Sequence, residues 1–242
     1  MKLKFVSLLL AAGMAFDVSA AQSLVTFSDG QFDGWVGRVS PSLAVGTFID
    51  TTMGDSAPAM RTQYDDFMKI GIRYYSDSAS YAGNYTKASS ITVGFDMNAL
   101  YMGDITNEFS TPLTKAVYID FLDHKLPTAY VDSSVLSVNV GSLTQGAGWQ
   151  HFSVTFDPRN LGPDWTNNSN NSAQKILSEI DELAIHVDRG AAWDNATGYD
   201  VAIDNISFNS VSAVPEPGSN LMLLSGLGLI GGLLAMRRRA AR

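Results

Sequence analysis

From residue 22 onward the chain alternates between apolar and polar positions. Ile91, Val93 and Phe95 are separated by Thr92 and Gly94 and followed by Asp96. Val117, Ile119 and Phe121 alternate with Tyr118, Asp120 and Leu122. The same period recurs in Phe152, Val154 and Phe156 with His151, Ser153 and Thr155, and in Leu183, Ile185 and Val187 with Ala184, His186 and Asp188. Period two sends successive side chains to opposite faces, so each segment predicts a half-buried strand. Further strands are expected over 24–27, 45–49, 68–74, 135–140 and 201–208. Turn formers such as Ser28-Asp29-Gly30 and the 141–148 stretch punctuate them. One short helix is expected over 173–180, entered through the Asn-rich 167–171. Nine or ten short strands without strand–helix–strand alternation predict an all-β fold, an antiparallel β-sandwich over 22–208.

The two ends break this pattern. Lys2 and Lys4 precede an apolar stretch over 5–15, and Val18-Ser19-Ala20 offers small residues to signal peptidase, with cleavage after Ala20 or Ala21. Residues 1–21 are thus expected to be a signal peptide with a helical core. At the other end, 209–220 reads as an extended stalk containing Pro215-Glu216-Pro217. An uncharged run over 221–236 follows, then the basic tail 237–242 with Arg237, Arg238 and Arg239. A helix over the run would reach roughly 24 Å at about 1.5 Å per residue, short for a permanent anchor against a hydrocarbon core of about 30 Å, although 218–220 and the arginine stems can extend it. The arginines would hold the C-terminus on the cytoplasmic side. The order of Pro-Glu-Pro, apolar span and arginine cluster resembles the PEP-CTERM tail of Gram-negative exported proteins. The resemblance implies transient anchoring in the inner membrane by a C-terminal transmembrane helix, processing by an exosortase, and a final place at the cell surface or outside it.

Composition narrows the partners. Residues 22–213 carry ten Lys and Arg against 22 Asp and Glu. So acidic a body is a poor partner for nucleic acid; neutral ligands and divalent cations suit it better. The chain contains no cysteine, so neither disulfides nor thiol chemistry contribute.

Four landmarks then appear in order. They are Phe27-Ser28-Asp29-Gly30-Gln31-Phe32-Asp33-Gly34-Trp35; Tyr81-Ala82-Gly83-Asn84-Tyr85 with the 91–96 strand; Gly148-Trp149-Gln150-His151-Phe152-Ser153-Val154; and Val201-Ala202-Ile203-Asp204-Asn205-Ile206-Ser207-Phe208. Together they resemble the galactose-binding-like jelly rolls, which include carbohydrate-binding modules. That resemblance implies a sugar-binding or adhesive body, although the fold hosts many functions. On a regular strand Asp204 shares the parity of Ile206 and Phe208 and would face the core, where a carboxylate needs a partner. In related modules the matching Asp binds a structural calcium ion together with an acid beside the opening Phe. Here Ser28 follows Phe27, so Asp29 is the candidate second ligand. The other reading has Asp204 capping backbone amides or sitting at a bulge.

Catalytic signatures are absent from the sequence. The three histidines, His124, His151 and His186, fit no zinc spacing, and no Gly-x-Ser-x-Gly elbow or phosphate loop occurs. The chain is therefore expected not to be an enzyme. Trp35 and Trp149 begin strands and read as core. Trp165 and Trp193 stand in polar loops, the latter beside Asp194 and Asn195. An aromatic ring flanked by polar groups suits a sugar, whose C–H face stacks on the ring while its hydroxyls pair. Trp165, Trp193, Asp194 and Asn195 are the candidate ligand contacts. Two function classes result. One is an exported matrix or biofilm protein that binds polysaccharide, such as exopolysaccharide, without catalysis; the other is a structural envelope protein with no small ligand. A glycan-active enzyme is a distant third.

Overall fold

The structure is a computed structural model that describes residues 21–38, 46–55, 58–66, 71–104, 113–125, 134–187 and 197–212. Twelve strands and one α-helix lie within them. They are β1 (Ala21–Val25), β2 (Val36–Arg38), β3 (Thr47–Asp50), β4 (Ala59–Asp66), β5 (Ile72–Ser76), β6 (Ala88–Asp104), β7 (Thr114–Asp123), β8 (Ser134–Thr144), β9 (Gln150–Phe156), β10 (Trp165–Asn167), α1 (Ala173–Leu177), β11 (Glu182–Val187) and β12 (Thr197–Ser212). The first sheet runs β3-β4-β12-β6-β9, with β1 also paired to β12. The second runs β10-β8-β7-β11-β5-β2. Every pairing is antiparallel, and the two sheets enclose one core as a jelly-roll sandwich.

The inward parities are those the alternation predicts. Ile91, Val93, Phe95 and Met97 of β6 meet Val117, Ile119 and Phe121 of β7 and Leu183, Ile185 and Val187 of β11 in one buried cluster. Trp35 is buried, as expected, with its ring edge-on to Tyr81 at 5.3 Å and its Nε1–H donating to the Tyr81 hydroxyl at 3.2 Å. Such pairing lets a polar-tipped aromatic enter a core without leaving a donor unmet. Tyr74 is buried as well and donates its hydroxyl to the Val201 carbonyl at 2.8 Å.

Several elements differ from the sequence reading. The alternation does not reveal strands β2, β4 and β10; each is short, or polar enough that its apolar positions fail to stand out. The helix stops at Leu177, because Ser178 ends it and Ile180 then bridges to Gly83. Residues 209–212 are not stalk. They continue β12, which pairs with both β1 and β6. Trp149 is half-buried and stands outside the core cluster. Trp165 is not in a loop: it opens β10 and turns inward.

Asp204 departs most instructively. The inward set of β12 is Tyr199, Val201 and Ile203 on one side, and Ile206 and Phe208 on the other. The register against β6 shifts between Asp204 and Ser207, and Asn205 has φ 51°. This bulge inserts a residue and reverses the parity. Asp204 therefore follows Ala202, not Ile206. It is buried all the same, and its Oδ1 accepts the Asn205 N–H at 2.7 Å.

Candidate functional site

The outward face of the second sheet is unusual for a surface. Its residues are those that alternate with the core positions of β5, β11, β7, β8 and β10. In register, Tyr75 faces Ala184, Ala184 faces Asp120, Asp120 faces Ser137 and Ser137 faces Thr166. A second row runs Arg73, His186, Tyr118 and Asn139. Glu182 extends β11 beside the first row.

Side chains on such a face are ordinarily solvated, yet the acids here are not. The Asp120 side chain is 5% exposed and that of Glu182 7%. Charges removed this far from water are tolerated only when paired. Ser137 Oγ donates to Asp120 Oδ1 at 2.6 Å, and His186 Nδ1 lies 3.6 Å from Asp120 Oδ2. Glu182 is held by Arg73 through Oε1 and by His124 Nε2 at 3.0 Å through Oε2. The Arg73 guanidinium also lies over the Tyr75 ring, 5.3 Å from its centroid, a cation–π contact. The face thus sets two half-buried tyrosines, Tyr75 and Tyr118, on a rigid bed of nearly dry, internally paired polar groups.

The residues singled out from the sequence do not converge here. The Trp165 ring packs inward against Phe156 at 4.6 Å and Phe121 at 5.8 Å. Trp193, Asp194 and Asn195 lie outside the described residues, as do Pro215, Glu216, Pro217 and Arg237, Arg238 and Arg239. Tyr81 and Tyr85 are core. Asp29 is exposed and turns its Oδ1 onto the Gln31 N–H at 2.9 Å. Calcium takes six to eight oxygen ligands. Among the described residues no three His, Asp or Glu side chains form a group that could hold a metal.

Sequence reasoning missed Arg73, Tyr118, Asp120, Ser137 and Glu182. Their one signal was polarity at outward strand positions, which an ordinary solvated face shares. Only the strand order turns scattered polar residues into a row.

Residues 213–239 match the PEP-CTERM protein-sorting motif, a stretch that takes in Pro215-Glu216-Pro217 and Arg237–Arg239. The match implies export and anchoring through the C-terminal region. Among the described residues no helix is long and apolar enough to cross a membrane. A search of curated proteins finds no match. Solved structures of similar shape include the CBM22-1 xylan-binding domain of Paenibacillus barcinonensis Xyn10C, at 10% identity, TM-score 0.47, with 81% of this chain and 97% of that one covered. The family 11 carbohydrate-binding module of Clostridium thermocellum, in complex with a β-1,3-1,4-mixed-linked tetrasaccharide, aligns at 14% identity and TM-score 0.45, covering 81% and 98%. An exo-β-agarase aligns at 15% identity and TM-score 0.46, over 79% of this chain and 25% of its own length.

Proposed function

We propose that this protein is an exported, exosortase-sorted surface or matrix protein that binds polysaccharide without catalysis on the outward face of its second sheet. One observation carries the reading: Asp120 and Glu182 are nearly shut from solvent on the side away from the core, each tied to fixed partners and flanked by Tyr75 and Tyr118. Prepositioned acceptors and donors beside aromatic rings suit a polyhydroxylated ligand, because ring C–H faces stack while hydroxyls pair. The pairing of each carboxylate within the protein also fits recognition better than proton transfer.

Trp193, Asp194 and Asn195 follow β11 in sequence. Within this proposal they are further candidate ligand contacts. Affinity is expected on the order of 10 µM to 1 mM, since stacked sugars give a few kcal/mol after binding costs. Signal peptidase and exosortase would process the two ends, with the inner membrane as a transient station.

Affinity electrophoresis through xylan, mixed-linkage β-glucan and agarose tests the binding. Retardation by at least one polymer, weakened in Tyr75→Ala and Tyr118→Ala variants that still melt cooperatively, is the expected result. No retardation by any neutral polymer would leave the structural envelope role as the better account. Intact-mass analysis of protein released from cells tests the sorting: a released species that keeps Arg237–Arg239 would count against tail processing.

A further inference from the structure

The outward face of the first sheet differs in kind from that of the second. Two large apolar side chains stand open on it: Phe48 on β3 is 38% exposed and Tyr101 on β6 is 37% exposed. Between them lies a closed polar network. Arg61 on β4 gives Nη1 to Asp50 Oδ2 at 2.7 Å and both Nε and Nη2 to the Asp200 carboxylate at 2.7 Å. Gln63 Nε2 adds a donor to Asp200 Oδ2 at 3.0 Å. The register sets these groups side by side, with Phe48 against Arg61, Gln63 against Asp200, and Asp200 against Tyr101. Phe48 and Tyr101 are three strands apart, roughly 14 Å across the sheet.

The charges on this face answer one another. The guanidinium lies between two carboxylates and also beneath the Phe48 ring, 5.8 Å from its centroid. Within this network one negative charge remains over. Farther along the same face Asp96 is held by Asn205 and His151, and Asp204 by the Asn205 N–H, so few carboxylates are left for a strongly charged partner. What remains on offer is two exposed rings and the spare lone pairs of Asp50, Asp200 and the Gln63 amide oxygen. Rings spaced along a flat sheet with hydroxyl-pairing groups between them fit an extended neutral glycan, not a compact ion or a peptide.

We infer that the first sheet carries a second glycan-binding face, centred on Phe48, Arg61, Asp200 and Tyr101, on the opposite side of the sandwich from the face described above. With both faces in use, one molecule bridges two polysaccharide chains. The inference thus extends the proposed function from binding to cross-linking, and for the bridging it rests on that first face.

The two faces are tested separately on the purified protein, with mixed-linkage β-glucan and xylan as probes. Affinity electrophoresis reads binding, and light scattering of the dissolved polymer with added protein reads bridging. The Phe48→Ala/Tyr101→Ala variant should keep its melting temperature and raise scattering no further than a single-site binder does. Without the two rings to stack on, the polymer should be held about fivefold more weakly. The Tyr75→Ala/Tyr118→Ala variant should keep residual retardation and also show no bridging. Wild-type binding and scattering in the Phe48→Ala/Tyr101→Ala variant would overturn the second face. Complete loss of binding in the Tyr75→Ala/Tyr118→Ala variant would overturn it too, while leaving the first face standing. Absence of wild-type binding to either polymer would remove both.

Discussion

Trp165 and Phe156 meet at a 59° tilt across the side of the sandwich, their ring centroids 4.6 Å apart. One comes from β10, the edge strand of the second sheet, and the other from β9, the edge strand of the first. The tryptophan therefore closes a seam between the sheets. Trp165→Ala should cost about 3 kcal/mol, at the lower end of the range for removing an aromatic from a core because the ring is only half-buried. Trp165→Phe should recover most of it. Urea unfolding measures both, and a change in glycan affinity with unchanged stability would contradict this role.

The Arg73–Glu182 pair should matter more than a surface ion pair. Arg73→Met leaves Glu182 in a nearly dry site with His124 as its remaining ion-pair partner among the described residues. A loss on the order of 3 kcal/mol is expected for a buried charge stripped of its main partner. Glu182→Gln/Arg73→Met together should lose less than the sum of the single changes. A double-mutant cycle by chemical denaturation decides the point.

Asp50 gives a pH-dependent contribution with a defined sign. The Thr52 hydroxyl, Arg61 and the Thr52 N–H hold its carboxyl down from the usual 3.8 to about 2. A depressed folded-state value stabilises above the unfolded value, and that gain is lost as pH falls toward the folded one. The difference in melting temperature between wild type and Asp50→Asn should be full above the usual 3.8 and shrink on acidification toward about 2. A difference that grows on acidification would refute the assignment.

Asn205 tests the bulge. Its φ of 51° lies in the left-handed region, where Asn and Gly are tolerated and branched residues are strained. Its side-chain amide also donates to Asp96 Oδ2 at 2.8 Å, whose other oxygen meets His151 Nδ1 at 2.7 Å. Asn205→Gly should cost about 1 kcal/mol, for the missing hydrogen bond alone. Asn205→Val should cost distinctly more, from backbone strain. Equal melting temperatures for the two variants would show the strain to be unimportant.

Much of the fold was legible because alternation is a local property. The four clear segments around Phe95, Phe121, Phe156 and Ile185 all became strands with the expected inward residues. The parity argument failed at Asp204 because one inserted residue reverses every side chain beyond it, and Asn205 gives only a faint hint of the bulge. Trp165 was misplaced because a three-residue strand is too short to show a period. The tyrosine, acid and arginine face stayed hidden for a different reason. Asp120 and Glu182 look in sequence like any solvated acids, and their burial depends on which strands become neighbours.

The way β12 leaves the sheet has a mechanical consequence. Its stretch 207–210 lies between β1 on one side and β6 on the other, β6 alone pairs it on to Ser212, and the sorting motif begins at the next residue. A pull on the tail runs along the axis of a strand clamped from both sides. The ladder hydrogen bonds lie across that axis, so they share the load in shear instead of opening one after another. Resistance to forced unfolding is set by the rate of opening rather than by equilibrium stability. The C-terminal connection is thus built so that traction on the tail is carried by a central strand of the first sheet, not by the strands at its edges.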